Sequence, residues 1–117
     1  MITSVELLST DLPRELTLSQ NYPNPFNPQT TIRFDLPEAA VVSLKVYTIL
    51  GQEVATLLNE QRQAGRYETT FNAAGLASGV YLYRLSVSPS ATREHVPTSR
   101  DGQRKEFTQT KRMLLIK

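Results

Sequence analysis

Gly79-Val80-Tyr81-Leu82-Tyr83-Arg84-Leu85-Ser86-Val87 reads as a single β-strand. Tyr81, Tyr83, Leu85 and Val87 fall on one face at period two, while Arg84 and Ser86 fall on the other. The same alternation extends along most of the chain. Ile32, Phe34 and Leu36 alternate with Arg33 and Asp35; Val42, Leu44 and Val46 alternate with Ser43, Lys45 and Tyr47. Gly51 marks a reversal, because glycine accepts the positive φ of a tight hairpin, and Val54 to Leu58 returns as a strand. Gly65 opens another, with Tyr67, Thr69 and Phe71 facing inward and Arg66, Glu68 and Thr70 facing water. Asn72-Ala73-Ala74-Gly75 breaks it. A short strand near Leu16 to Gln20 and a closing one over Phe107 to Lys117 bring the expected total to seven. No long stretch has helical period. The fold expected is all-β, a seven-stranded antiparallel immunoglobulin-like β-sandwich; a small barrel has the same periodicity.

The chain of 117 residues is one domain's worth, with 39% apolar and 21% charged residues, a soluble globular composition. No apolar run approaches the roughly 18 residues of a spanning helix, so membrane insertion is not expected. There is no cysteine, which removes disulfides and thiolate chemistry together. No secretory leader is visible at the N-terminus; if the protein is exported, the chain is expected to be a fragment of something longer. Residues 1–15, where Pro13 and Ser9-Thr10-Asp11 interrupt Leu7, Leu8 and Leu12, read as a linker from an upstream cargo, and residues 16–117 as the domain. Within the domain, residues 88–104 contain Pro89, Pro97 and Asp101-Gly102 with almost no apolar residue. They read as a flexible inserted loop, longer than compact domains normally carry.

Charge is uneven along the chain. From Arg93 onward seven basic residues face three acidic ones, whereas residues 1–92 hold six basic and eight acidic. The basic end suits an anionic surface or a guarded strand edge. It does not suit nucleic acid, because single-strand binders interleave basic residues with stacking rings and only Phe107 is there. Catalysis is not expected either. The single histidine, His95, lies in the inserted loop beside Glu94, with nothing to orient it as a base, and one histidine without cysteine makes no zinc site. No cofactor-binding or metal-binding pattern is present. Sugar binding needs exposed rings, and only Tyr22 and Tyr47 fall off the apparent core faces; each reads as partly buried with its hydroxyl at the surface.

Tyr22-Pro23-Asn24-Pro25-Phe26-Asn27-Pro28 carries three prolines that fix φ and bias the residue before each toward extended geometry. It reads as a stiff rod with Phe26 free to anchor in the core. Such a rod serves either as a recognition ligand or as a rigid entry that sets the register of the first strand and blocks its edge.

These residues together resemble the C-terminal sorting domain of the type IX (Por) secretion system, with the immunoglobulin-like module of flagellar hook-capping proteins as a wider relative. The resemblance rests on Asn24-Pro25-Phe26, Val46-Tyr47 before Gly51, the Gly65 turn, Leu76-Ala77-Ser78-Gly79-Val80-Tyr81 with Arg84-Leu85, and Lys111 to Lys117. It runs in order from about Leu16 to Lys117. It implies a noncatalytic module of Bacteroidetes-like bacteria that takes a fused cargo through the periplasm and across the outer membrane to the cell surface. The implied partners are the outer-membrane secretion machinery and a surface sorting peptidase, which cuts in the preceding linker and often joins the cargo to an anionic lipopolysaccharide. The implied signal residues are Pro23, Asn24, Pro25, Phe26, Gly79, Tyr81, Lys111, Met113, Leu114, Leu115, Ile116 and Lys117, with the final strand as the element read. The 88–104 insertion departs from relatives, which join these two strands by a shorter turn. Two other expectations stand beside this one: an adhesive or carbohydrate-binding module of a secreted enzyme, and a structural immunoglobulin-like spacer.

Overall fold

A computed structural model describes residues 5–9, 13–89 and 106–117. Eight strands form two four-stranded sheets: β1 (Val5–Ser9), β2 (Thr17–Leu18), β3 (Gln29–Leu36), β4 (Ala40–Thr48), β5 (Glu53–Arg62), β6 (Gly65–Asn72), β7 (Gly79–Pro89) and β8 (Phe107–Leu115). One sheet has the order β1-β6-β3-β2 and the other β5-β4-β7-β8. All strand pairs are antiparallel. The two sheets are separate layers of a sandwich and not a closed barrel. The seven strands expected from periodicity are present, and the eighth, β1, lies within the segment read as a tether and pairs with β6. The expectation of an inserted loop from residue 88 is corrected at its start. Ser88 and Pro89 still belong to β7, opposite Val41 and Ala40 of β4, while residues 90–104, His95 among them, lie outside the described residues.

Alternation dictates which side chains meet. Ile32, Phe34 and Leu36 of β3, Val42, Leu44 and Val46 of β4, Tyr67 and Phe71 of β6, and Tyr83 and Leu85 of β7 fill the space between the layers. Phe34 and Tyr67 are directly opposite in the β3–β6 ladder, and their rings stack at 5.4 Å. On the outer face of the same pair, Arg33 and Glu68 are also opposite and form a salt bridge of 3.0 Å. Being exposed, it contributes only about 0–1 kcal/mol. Each of two tyrosines closes the turn that leads into its own strand: the Tyr67 hydroxyl donates to the Gln63 carbonyl at 2.8 Å, and that of Tyr81 to the Ala77 carbonyl at 2.6 Å. At the β4–β5 turn Gly51 has φ 95°, as the reversal requires.

Val54 to Leu58 returns as a strand, as expected, inside the longer β5, but its pairing is irregular. Pairing with β4 slips twice, between Leu44 and Lys45 and between Val46 and Tyr47, so that Leu57 and Val54 are extra residues on β5. Bulges of this kind break alternation and twist an edge strand away from intruders. They are why Leu58 is the only fully buried residue of β5.

Among the described residues, the buried hydroxyl of Thr69 has no partner. Thr69 is 1% exposed. An orphaned buried hydroxyl costs about 1–3 kcal/mol. Thr69→Val is expected to raise stability by about 1 kcal/mol, a Tm gain of about 4–8 °C in a thermal melt. Thr30→Val, which removes a hydroxyl with two partners, is expected to lower it.

Candidate functional site

Between β2 and β3 the chain leaves one sheet and reaches across to the other. The Ser19 and Tyr22 amides still follow β3, donating to Arg33 and Thr31 carbonyls at 2.9 Å each. From Gln20 onward the segment also runs beside the outer edge of β8. The Gln20 side-chain amide donates to the Arg112 carbonyl at 2.7 Å, and the Leu114 amide donates to Asn24 Oδ1 at 3.0 Å. Phe26 then forms a parallel bridge with Leu115: its amide donates to the Leu114 carbonyl at 2.9 Å and its carbonyl accepts from the Ile116 amide at 3.0 Å. Residues 20–26 are thus a strap across the open side of the sandwich.

The strap is not the straight rod expected from its prolines. Tyr22 and Thr31 exchange both backbone hydrogen bonds, which folds residues 22–31 into a closed loop. The peptide bonds before Pro23, Pro25 and Pro28 are cis. The edge it covers is that of the last strand rather than the first. Phe26 does anchor in the core as expected, 2% exposed and 6.2 Å from the Phe71 ring. Tyr22, expected to be partly buried, is 79% exposed. Tyr47 is half-buried, with the Arg84 guanidinium 4.8 Å from its ring centre.

A buried polar network holds the strap in place. The Tyr83 hydroxyl, on the core face of β7, donates to the Ser19 carbonyl at 2.7 Å and accepts from the Asn21 amide at 2.8 Å. Asn21, 2% exposed, donates through Nδ2 to Thr30 Oγ1 at 2.9 Å and to the Pro23 carbonyl at 3.1 Å. Thr30 Oγ1 donates to that same carbonyl at 2.8 Å, and Gln20 Nε2 donates to Asn21 Oδ1 at 2.7 Å. Sequence reasoning missed these roles. Asn21 and Thr30 look like ordinary turn and strand residues, and Tyr83 was assigned only to the core. The available signal was that the Tyr83 hydroxyl, buried by alternation, needed a partner.

The residues expected to carry a signal converge here. Gly79, Val80 and Tyr81 pair with Leu115, Leu114 and Met113, so Phe26, Leu115 and Gly79 sit side by side across three adjacent segments. Gly79 begins β7 at φ 151°, a backbone geometry that side-chain-bearing residues rarely adopt. Met113, Leu115 and Tyr81 are buried, Leu114 is half-buried, and Pro23, Asn24 and Pro25 are exposed. Ile116 and Lys117 lie past the end of β8, which stops at Leu115. Lys117 is tied down by its amide to Ser78 Oγ at 3.0 Å and by Nζ to the Ala74 carbonyl at 2.7 Å. Lys111 is farther along β8, opposite Tyr83 and half-buried. Among the described residues no group of three His, Cys, Asp or Glu side chains is placed to hold a metal ion.

Burial pushes the Tyr83 hydroxyl up to about 12, against the smaller opposing pull of its hydrogen bond with the Asn21 backbone. A folded value above the unfolded one of about 10 means that this contribution is complete below pH 10 and is lost as pH rises through 12. In an absorbance titration of tyrosinate the Tyr83 ring is expected to ionise late, together with alkaline unfolding. Tyr83→Phe should remove that late ring and cost about 1–3 kcal/mol, since it strands the Asn21 amide and Ser19 carbonyl.

No curated protein and no solved structure gives a significant match to the chain. The family described as the secretion system C-terminal sorting domain matches residues 20–96, from the start of the strap through β7. That span is well over half of the 117 residues. The chain belongs to this family, the sorting domains of the type IX (Por) secretion system.

Proposed function

We propose that this chain is a noncatalytic sorting module that directs a fused upstream cargo across the outer membrane to the cell surface, and that the machinery engages the corner built by the strap and β8. The observation that carries this reading is convergence. Pro23–Phe26, Gly79–Tyr81 and Met113–Lys117 are far apart in sequence, yet they are joined by main-chain hydrogen bonds at one end of the sandwich. Family membership supports the sorting role. We read the sandwich as immunoglobulin-like, on its repeated crossings between sheets and its tyrosine-closed turns.

Edge pairing is the physical mode that suits β8, because main-chain hydrogen bonds give affinity while alternate side chains give specificity. Backbone groups of alternate residues point outward from an antiparallel edge. The strap takes up the Arg112 carbonyl, both groups of Leu114 and the Ile116 amide. Those of Thr108 and Thr110 meet no backbone partner among the described residues. Removal of the domain by a surface peptidase, with cleavage inside residues 1–15, belongs to the same reading. So does passage through the periplasm.

The test is a reporter fused to residues 1–117 in a host carrying this secretion system, beside a version lacking Met113 to Lys117. The intact fusion is expected at the cell surface and the shortened one in the periplasm. Equal export of both would remove the role given to the strap–β8 corner.

A further inference from the structure

Tyr22 is the one aromatic side chain among the described residues that is largely exposed. A solitary exposed apolar residue is ordinary on any surface. What sets Tyr22 apart is its mount. Its amide donates to the Thr31 carbonyl and its own carbonyl accepts from the Thr31 amide, both at 2.9 Å. The residue before it, Asn21, is buried. The residue after it, Pro23, is itself exposed, but its carbonyl accepts from both Asn21 Nδ2 and Thr30 Oγ1. The backbone is therefore pinned on both sides of a ring that is 79% in water. Ile49 and Leu50, also exposed, ride instead on the tip of the β4–β5 turn, where the holding bonds to Thr48 are themselves exposed.

Resting on the sorting reading, we propose that Tyr22 is the side chain by which a protein of the secretion apparatus grips this domain, its ring entering a concave, largely apolar pocket on that partner. A tyrosine has only two side-chain torsions to fix, so a ring on an immobile backbone docks at small entropic cost. Tyrosines of this kind dominate binding energy at protein interfaces. Pro23 and Pro25, close by in the chain, are exposed as well, and such stiff, apolar neighbours suit a protein pocket. A sugar platform pairs such a ring with planar polar side chains, and the Oδ1 of Asn24, two residues on, is taken up by the Leu114 amide. The Asn21, Thr30 and Tyr83 side chains are positioning residues in this scheme and touch no partner.

The experiment uses the same reporter fusion to residues 1–117, with Tyr22→Ala and Tyr22→Phe. Export is expected to fall about tenfold or more for Tyr22→Ala and to persist for Tyr22→Phe. The melting temperature and the amide exchange of Phe26 and Ile116 should stay at wild-type values in both. Wild-type export of Tyr22→Ala would overturn the proposal. So would loss of export accompanied by faster exchange at Phe26, because the ring would then be supporting the fold. Tight Tyr22-dependent binding on a sugar array with undiminished export would assign the ring to a carbohydrate instead. A wild-type fusion that stays in the periplasm would sink the sorting reading itself, and is distinct from all of these.

Discussion

The bridge between Phe26 and Leu115 is the constraint on which this structure depends. Sheets of a sandwich hold together through side chains alone, and at an open side nothing but packing prevents them from sliding. Here the backbone itself crosses. The strap is hydrogen-bonded to β3 at Tyr22 and to β8 at Phe26, so the register of one sheet is tied to the register of the other. The Phe26 ring then packs inside against Phe71 of β6. A buried phenylalanine is worth about 3–5 kcal/mol against truncation to alanine, a large share of the 5–15 kcal/mol that a domain has in total. The polar network matters for a different reason. Each of its bonds is worth about 1 kcal/mol net, but leaving any member unpaired costs more than forming the bond gains. It therefore selects one strap conformation instead of merely stabilising the domain.

Edges explain most of what lies outside the core. An open sheet edge invites pairing with other chains, and this sandwich has four. One edge strand, β2, is only two residues long. Another, β5, carries two bulges and is exposed at half of its residues. Half of β8 is covered by the strap. Along the other half the inward positions are Phe107, Gln109 and Lys111, all half-buried, whereas Met113 and Leu115 under the strap are buried. Two of those three are polar, and a lysine on the inner side of an edge strand discourages strand addition. The last strand is thus divided into a sealed apolar half and a polar half whose outward backbone groups at Thr108 and Thr110 meet no backbone partner among the described residues. Any partner that adds a strand there has to accommodate Lys111.

Legibility in the sequence followed the physics. Strands buried on one face show themselves through period-two alternation, so β3, β4, β6 and β7 were readable from Ile32, Val42, Tyr67 and Tyr81 onward, and the inward sets matched the buried ones. Where that condition fails, reading fails. Bulges at Val54 and Leu57 destroy alternation in β5. The pairing of β1 depends on a partner some sixty residues away, Val5 with Thr69, and Pro13 nearby suggested a break. The proline segment announced its stiffness but not its destination, because local φ preferences do not say which edge a loop will meet. Asn21 is the clearest case: an asparagine next to Tyr-Pro looks like a solvated turn, and its burial is made tolerable by the Tyr83 hydroxyl, which takes its backbone amide, together with Thr30, Gln20 and the Pro23 carbonyl, which satisfy its side chain. The resemblance to a family did place Pro23–Phe26, Gly79 and Met113–Lys117 in one set, but the contact among them comes from the three-dimensional structure alone.

The corner has a property that follows from its connectivity. Its hydrogen bonds join residues about 90 positions apart, Gln20 to Arg112 and Asn24 to Leu114, and loop closure of that length is costly until many contacts repay it together. None of these bonds can persist in a chain whose two sheets have not come together, because the strap reaches β8 only after β3 and β7 are stacked with Tyr83 under Asn21. Local elements such as the β4–β5 hairpin have no such requirement. The surface formed by the strap, β8 and the start of β7 is therefore a readout of the completed fold, absent from the separate segments that compose it. Under the proposal above, a receptor that touches Tyr22 and the polar half of β8 at once would measure the distance between two sheets, and with it whether the domain in front of it is folded.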